Sequence, residues 1–136
     1  MKDKIEIQAV IDNLDKVISF IDQKLEQKNC SPKLKMRIEL AVEEIFVNIA
    51  NYAYQDNSGN AEIGVEFFED PLSVTVTFID SGIPYDPLKK PDPDIKLSSE
   101  ERQIGGLGIY LAKKMADNMS YERKDGQNIL KFNKNL

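Results

Sequence analysis

Two spacings of apolar residues alternate along this chain. Ile5, Ile7 and Ala9 are separated by Lys4, Glu6 and Gln8, a period of two that predicts a half-buried strand with its polar face in water. The period then lengthens to that of a helix. Leu14, Val17, Ile18, Ile21 and Leu25 fall on one stripe that ends near Lys28-Asn29, with Asp12 or Asn13 available as N-cap. Ser31-Pro32 marks the next start, a capping hydroxyl followed by a proline whose missing N–H is not needed in a first turn. From there Leu34, Ile38, Ala41, Val42, Ile45, Ile49 and Ala53 extend the longest stripe of the chain, about six turns, until Asp56-Asn57-Ser58-Gly59-Asn60 breaks it.

Period two then returns. Ala61, Ile63, Val65 and Phe67, then Leu72, Val74, Val76 and Phe78, predict an antiparallel hairpin joined through Glu69-Asp70-Pro71. From Ser81 to Gln103 the pattern dissolves into Pro84, Pro87, Pro91, Pro93 and charges, too long for a routine connection; such segments are lids or disordered. Ile109, Leu111, Ala112 and Met115 predict a short helix after Gly108. Asp125-Gly126, between Met119–Arg123 and Leu130–Phe132, is a strong hairpin signal. No repeat and no second domain is visible, so residues 1–136 are expected to form one domain.

Composition narrows the chemistry. With 136 residues, 41% hydrophobic and 30% charged, the chain can bury a core of its own. Its 18 basic and 23 acidic residues give a net charge of -5, which removes the usual electrostatic footprint of nucleic-acid or anionic-membrane binding. There is no histidine, so triad catalysis through an imidazole, imidazole metal ligands and phosphohistidine relay on its own residues are excluded. Cys30 is the only cysteine, which rules out an intrachain disulfide and a thiolate zinc cluster and suits a reducing compartment; the cytoplasm is the default. Met1-Lys2-Asp3-Lys4 leads into no signal-peptide run.

Three places then stand out. On the long helix, Glu44 and Asn48 are separated by roughly 6 Å of rise and about 40° of rotation, so their side chains point to nearly the same side and one metal-bound phosphate could meet both. An isolated pair of this kind is more often a solvated face. Here Asn48 and Asn51 lie among Ile45, Phe46, Val47, Ile49 and Ala50, although asparagine is a poor helix former. Asp80, at a strand end before Ser81-Gly82, is either the start of an Asx turn or a carboxylate placed to accept from an exocyclic amine such as that of adenine. Gly82 serves both. Gly105-Gly106-Leu107-Gly108 ahead of a helix is either a hinge or a phosphate cradle of unhindered N–H groups. Arg102 could reach a terminal phosphate, while Lys89 and Lys90 read as solvated loop charge. Walker A and Rossmann patterns are absent.

Together these residues resemble the ATPase superfamily shared by gyrase, the ninety-kilodalton heat-shock chaperone, histidine kinases and MutL, and within it the bacterial anti-sigma-factor serine/threonine kinases. Glu44-Ile-Phe-Val-Asn48 resembles the N box, Asp80-Ser-Gly82-Ile-Pro84 the first glycine box, and Gly105-Gly106-Leu107-Gly108-Ile-Tyr-Leu111 the second. Ile49 and Tyr52 depart from the alanine and histidine common at those places. The resemblance implies an α/β two-layer sandwich of the Bergerat, histidine-kinase-like type: a mixed, largely antiparallel sheet of about five strands, covered on one face by helices, with an ATP lid over about residues 84–104.

The resemblance also implies Asn48 as ligand of Mg²⁺ on the phosphates, Asp80 as adenine partner, Gly82, Gly106 and Gly108 as backbone contacts, and Glu44 as general base. The implied activity is transfer of phosphate from Mg-ATP to a small antagonist protein, with a sigma factor or comparable regulator as second partner, no direct nucleic acid or membrane, and a homodimer as in relatives. A catalytically silent ATP-sensing module and a detached histidine-kinase catalytic domain are the alternatives.

Overall fold

The computed structural model describes residues 3–55, 57–89 and 106–136. In chain order they form β1 (Asp3–Gln8), α1 (Leu14–Gln27), α2 (Pro32–Tyr52), β2 (Asn60–Phe68), β3 (Ser73–Asp80), α3 (Gly106–Met115), β4 (Asn118–Lys124) and β5 (Gln127–Asn135), with 3-10 turns at Ile11–Asn13 and Pro87–Lys89. The five strands make one sheet in the order β1-β2-β3-β5-β4. The resemblance implies a mixed, largely antiparallel sheet, and every strand pair among the described residues is antiparallel. The reason lies in the connections: β2–β3 and β4–β5 are hairpins, and the long excursion after β3 brings the chain back beside it in the opposite sense.

The hairpin at Asp125-Gly126 has both turn residues in the left-handed region, at φ 52° and 77°, as a two-residue turn matched to strand twist requires. The inward faces of the strands carry Ile63, Val65, Val74, Val76, Phe78, Leu130 and Phe132. Against them pack Val17, Ile21 and Leu25 of α1 and Ile38, Val42, Ile45, Phe46 and Ile49 of α2. Charged Lys4, Glu6 and Lys131 remain exposed. No helix among the described residues is long and apolar enough to cross a membrane.

Helix starts follow the expected chemistry in one case and depart from it in two. Ser31 Oγ accepts from Leu34 N at 3.3 Å, with Pro32 in the first turn of α2. Asn13 does not cap α1 with its side chain; its carboxamide donates to Gln8 O at 2.8 Å, because the 3-10 turn runs straight into the helix and already accepts the Leu14 N–H at Ile11 O. The helix expected after Gly108 begins earlier, so Gly106 and Gly108 stand within the first turn of α3 rather than ahead of it.

Where α1 meets α2, Lys35 Nζ bridges Asp22 at 3.0 Å and Glu26 at 3.1 Å. Glu39 Oε1 is buried beside them and finds no donor among the described residues. Burial, then the hydrogen bond with Asp22, pushes the Glu39 carboxyl up to about 7, so that Glu39 holds the proton and donates it, while that bond and Lys35 hold Asp22 below the usual aspartate range. Between the ordinary glutamate value and about 7 the folded chain therefore holds a proton at Glu39 that the unfolded chain has released, so stability falls as pH rises through that window. The lowered Asp22 pKa acts with the opposite sign, and only at more acid pH. Urea denaturation from pH 5 to pH 8 is expected to show this decline, and Glu39→Gln is expected to flatten it and to be the more stable protein at pH 8.

Candidate functional site

The inward face of the sheet changes character at one end. Val76, Phe132 and Met119 form one cross-strand row, and Phe78, Leu130 and Tyr121 the next. The third row pairs Asp80 with Asn128 and Asn128 with Arg123. Because inward positions recur every second residue, the alternation that buries Val74, Val76 and Phe78 also carries Asp80 into the interior, where it is 6% exposed; Asn128 opposite is equally buried. Above this row, between the second half of α2 and the segment after β3, lies a cleft with about 400 Å³ of empty space counted out to its open mouth. Asn48 and the apolar Ile45, Ile49, Ile83 and Leu130 line it with Asp80 and Asn128.

The backbone from Ser81 to Ile83 is held from two sides. Tyr54 Oη, just past the end of α2, accepts from Ser81 N at 2.9 Å and donates to Asn60 O at 2.5 Å. Ile83 N donates to Ala53 O at 2.9 Å, which brings the two chains so close that a Cβ on Gly82 would overlap Ala53 O and stand 2.6 Å from Ala53 C. From the hairpin side, Arg123 Nη1 donates to Gly82 O and Asn128 Nδ2 to Ile83 O, each at 2.8 Å. Gly82 N closes an Asx turn on Asp80 Oδ1 at 2.9 Å, and Asn128 Nδ2 donates to the same oxygen at 2.9 Å. Both readings of Asp80 thus hold at once: it closes a turn, and its buried carboxylate faces a cleft. Among the described residues both bonds fall on Oδ1, leaving Oδ2 without a donor.

Asn48 lines the cleft, and Glu44, one turn earlier, lies beyond it against α3: a Cβ on Gly108 would overlap Glu44 Oε2. α3 thus approaches α2 closely at Gly108, where the nearest atoms belong to the end of the Glu44 side chain. Burial, and secondarily neighbouring Glu43, raises the Glu44 carboxyl above the ordinary glutamate range. Asn51 is exposed. Gly106 and Leu107 open α3. Arg102, Gly105 and Lys90 lie outside the described residues, as does most of the expected lid.

This order of strands and helices recurs in known proteins. Residues 7–134 match the histidine kinase-like ATPase domain family. The chain belongs to that family. Over 128 residues, 94% of this chain and 89% of the relative, the ATPase domain is 24% identical to the serine/threonine-protein kinase BtrW of Bordetella bronchiseptica. Over 97 residues, 68% of the chain, it is 29% identical to the serine-protein kinase RsbW of Bacillus cereus, and that match spans 59% of the relative's length. A solved structure of the RsbU and RsbW domains of a Mycobacterium tuberculosis protein superposes with a TM-score of 0.68 over 98% of this chain and 32% of that one, at 16% identity, a likeness of fold.

Three polar residues of the ATPase domain site, Asn128, Tyr121 and Arg123, flank the predicted turn without being marked by any local pattern, since the alternation of the second strand is plain only from Leu130 onward. Continuing its alternation two residues back from Leu130 places a polar Asn128 on the buried face, which is the signal that could have found it. Tyr54, to which no pattern in the sequence assigns a role, supplies the hydroxyl at the turn. Because the obstacle at Gly82 is backbone rather than a movable side chain, Gly82→Ala is expected to destabilise the domain by ~2 kcal/mol or more in urea denaturation. Gly126→Ala, whose added Cβ meets nothing within 4 Å, is expected to cost about 1 kcal/mol, for its positive φ alone.

Proposed function

We propose that this chain is an ATP-binding anti-sigma regulatory factor and protein serine/threonine kinase that transfers the γ-phosphoryl group of ATP to a small antagonist protein and also binds a sigma factor or comparable regulator. The observation that carries the reading is the placement of Asn48 and Glu44 on successive turns of α2, one lining a cleft floored by Asp80 and the other against the start of α3. The names of the relatives BtrW and RsbW support the kinase assignment.

In this reading the adenine lies in the apolar part of the cleft and gives its exocyclic N–H to Asp80 Oδ2. The backbone at Gly82 allows close approach, and the phosphates run toward Gly106 and Gly108, where the N–H groups that open α3 favour anions. Arg102, Gly105 and Leu107 belong to the same phosphate end. Among the described residues no group of three Asp, Glu or Cys side chains could hold a metal. The Asn48 carboxamide offers a single hard oxygen to the cleft, which suits Mg²⁺ held mainly by phosphate oxygens, with Asn48 supplying one protein ligand. Bound there, Mg²⁺ would neutralise phosphate charge.

Glu44 is the general base. The hydroxyl oxygen of the antagonist forms the new bond to the γ-phosphorus, the bond to the bridging oxygen of ADP breaks, and the hydroxyl proton passes to the Glu44 carboxylate. Its raised pKa makes it the stronger proton acceptor. A cytoplasmic location and a homodimer belong to the same proposal.

The deciding experiment follows radiolabel from ATP to a candidate antagonist. Glu44→Gln is expected to lower transfer by about 10²-fold or more while sparing ATP affinity, and the wild-type rate is expected to rise with pH through a limb above the ordinary glutamate range. ATP binding with no transfer would identify the silent sensing module instead, and label on a separate histidine protein the detached histidine-kinase domain. Asp80→Asn is expected to weaken ATP binding by about 10- to 100-fold in calorimetry, the range for one hydrogen bond to a charged group.

A further inference from the structure

Every polar atom of the Asn128 carboxamide is committed, and in only one orientation. Nδ2 donates to Asp80 Oδ1 at 2.9 Å and to Ile83 O at 2.8 Å. Oδ1 accepts from Tyr121 Oη at 2.5 Å, from Arg123 Nη1 at 3.2 Å and, more weakly, from Tyr85 N at 3.4 Å. Turning the amide over would set its oxygen against two acceptors and its NH₂ against three donors, so the network itself decides which end is nitrogen.

The consequence falls on Asp80. A carboxylate alone at a strand end can rotate and present either oxygen. Here Oδ1 is held by two donors, one from its own turn and one from the neighbouring strand, and only Oδ2 is left for a ligand. An oxygen that accepts and never donates favours a base bearing an amino group and leaves a base with a carbonyl in that place facing acceptor with acceptor.

We infer that Asn128, oriented by Tyr121 and Arg123, is a positioning residue for base selection: it fixes the Asp80 carboxylate so that the site takes an amino-bearing purine nucleotide and rejects its oxo counterpart. This rests on the proposed nucleotide site and deepens it. Discrimination then resides not in Asp80 alone but in a three-residue relay that ends on Arg123, an exposed residue on the edge strand β4.

The test is isothermal calorimetry with ADP and with IDP, which carries a carbonyl where ADP carries the amine, on protein checked for folding by thermal melting. The wild-type chain is expected to prefer ADP, and Asp80→Asn to lose that preference. Asn128→Ala is expected to lower the ADP-over-IDP ratio by about 10-fold, the worth of one charge-assisted hydrogen bond, chiefly through weaker ADP binding. In the Asp80→Asn background it is expected to change the ratio no further. Arg123→Ala, which also removes the donor to Gly82 O, is expected to lower the ratio in the same direction and by less.

If Asn128→Ala and Arg123→Ala weaken ADP and IDP by the same factor, or leave the ratio at its wild-type value, Asn128 merely braces the turn and the inference is overturned while the nucleotide site stands. If the wild-type chain binds neither nucleotide, the proposed site itself fails, and this inference with it.

Discussion

The hydrogen bond from Asn128 to Asp80 joins two residues that lie opposite each other in adjacent strands yet far apart in the chain. Nearly everything at the site depends on that pairing. A buried carboxylate is costly unless its lone pairs find donors, and at a strand end the regular ladder no longer provides them. The turn supplies one donor and the last strand another, while Ser81 and Ile83 are tied to the end of α2. The polar end of the sheet is thereby as well determined as its apolar centre, although it is built from asparagine, aspartate and arginine rather than from packed hydrocarbon.

α2 performs two tasks on different faces. Its apolar stripe, from Ile38 to Ile49, is buried in the core, while Asn48 looks into the cleft and Glu44 toward α3. At Gly108, which has no side chain, α3 comes close to the Glu44 carboxylate. Burial at that junction, with Glu43 beside it, raises the Glu44 carboxyl above its ordinary value, and an acid so placed is a poor stabiliser of a helix pair.

Much of this architecture is visible in the order of residues, because long stripes and alternations report burial directly. The helical stripe of α2, the cap at Ser31, the β2–β3 hairpin and the Asp125-Gly126 turn all follow from spacing and turn chemistry. The N-terminus of α1 did not, because a preceding 3-10 turn can replace a side-chain cap without altering the hydrophobic pattern. Nor did the antiparallel sense of every pair, which depends on where a long excursion re-enters the sheet. At the site, Glu44, Asn48, Asp80 and Gly82 stood out as polar or small residues in awkward places. Asn128, Tyr121 and Arg123 did not, because their meaning lies in register: only once β5 is laid beside β3 does a single inward-facing amide meet a carboxylate, and no local window holds both.

The strand order has a consequence for how this domain can change. β4 and β5 return to the sheet beside β3 after a detour, but not at the level where β3 ends: β4 begins at Asn118, in the row of Asn133 and Thr75, and only Arg123, near its far end, reaches the row of Asp80 and Asn128. The polar row is completed only by the register of the last two strands, and one residue gained or lost within β5 would slip its alternation and turn Asn128 outward. A change of length is least tolerable in that strand, where a single step of register undoes the floor of the cleft.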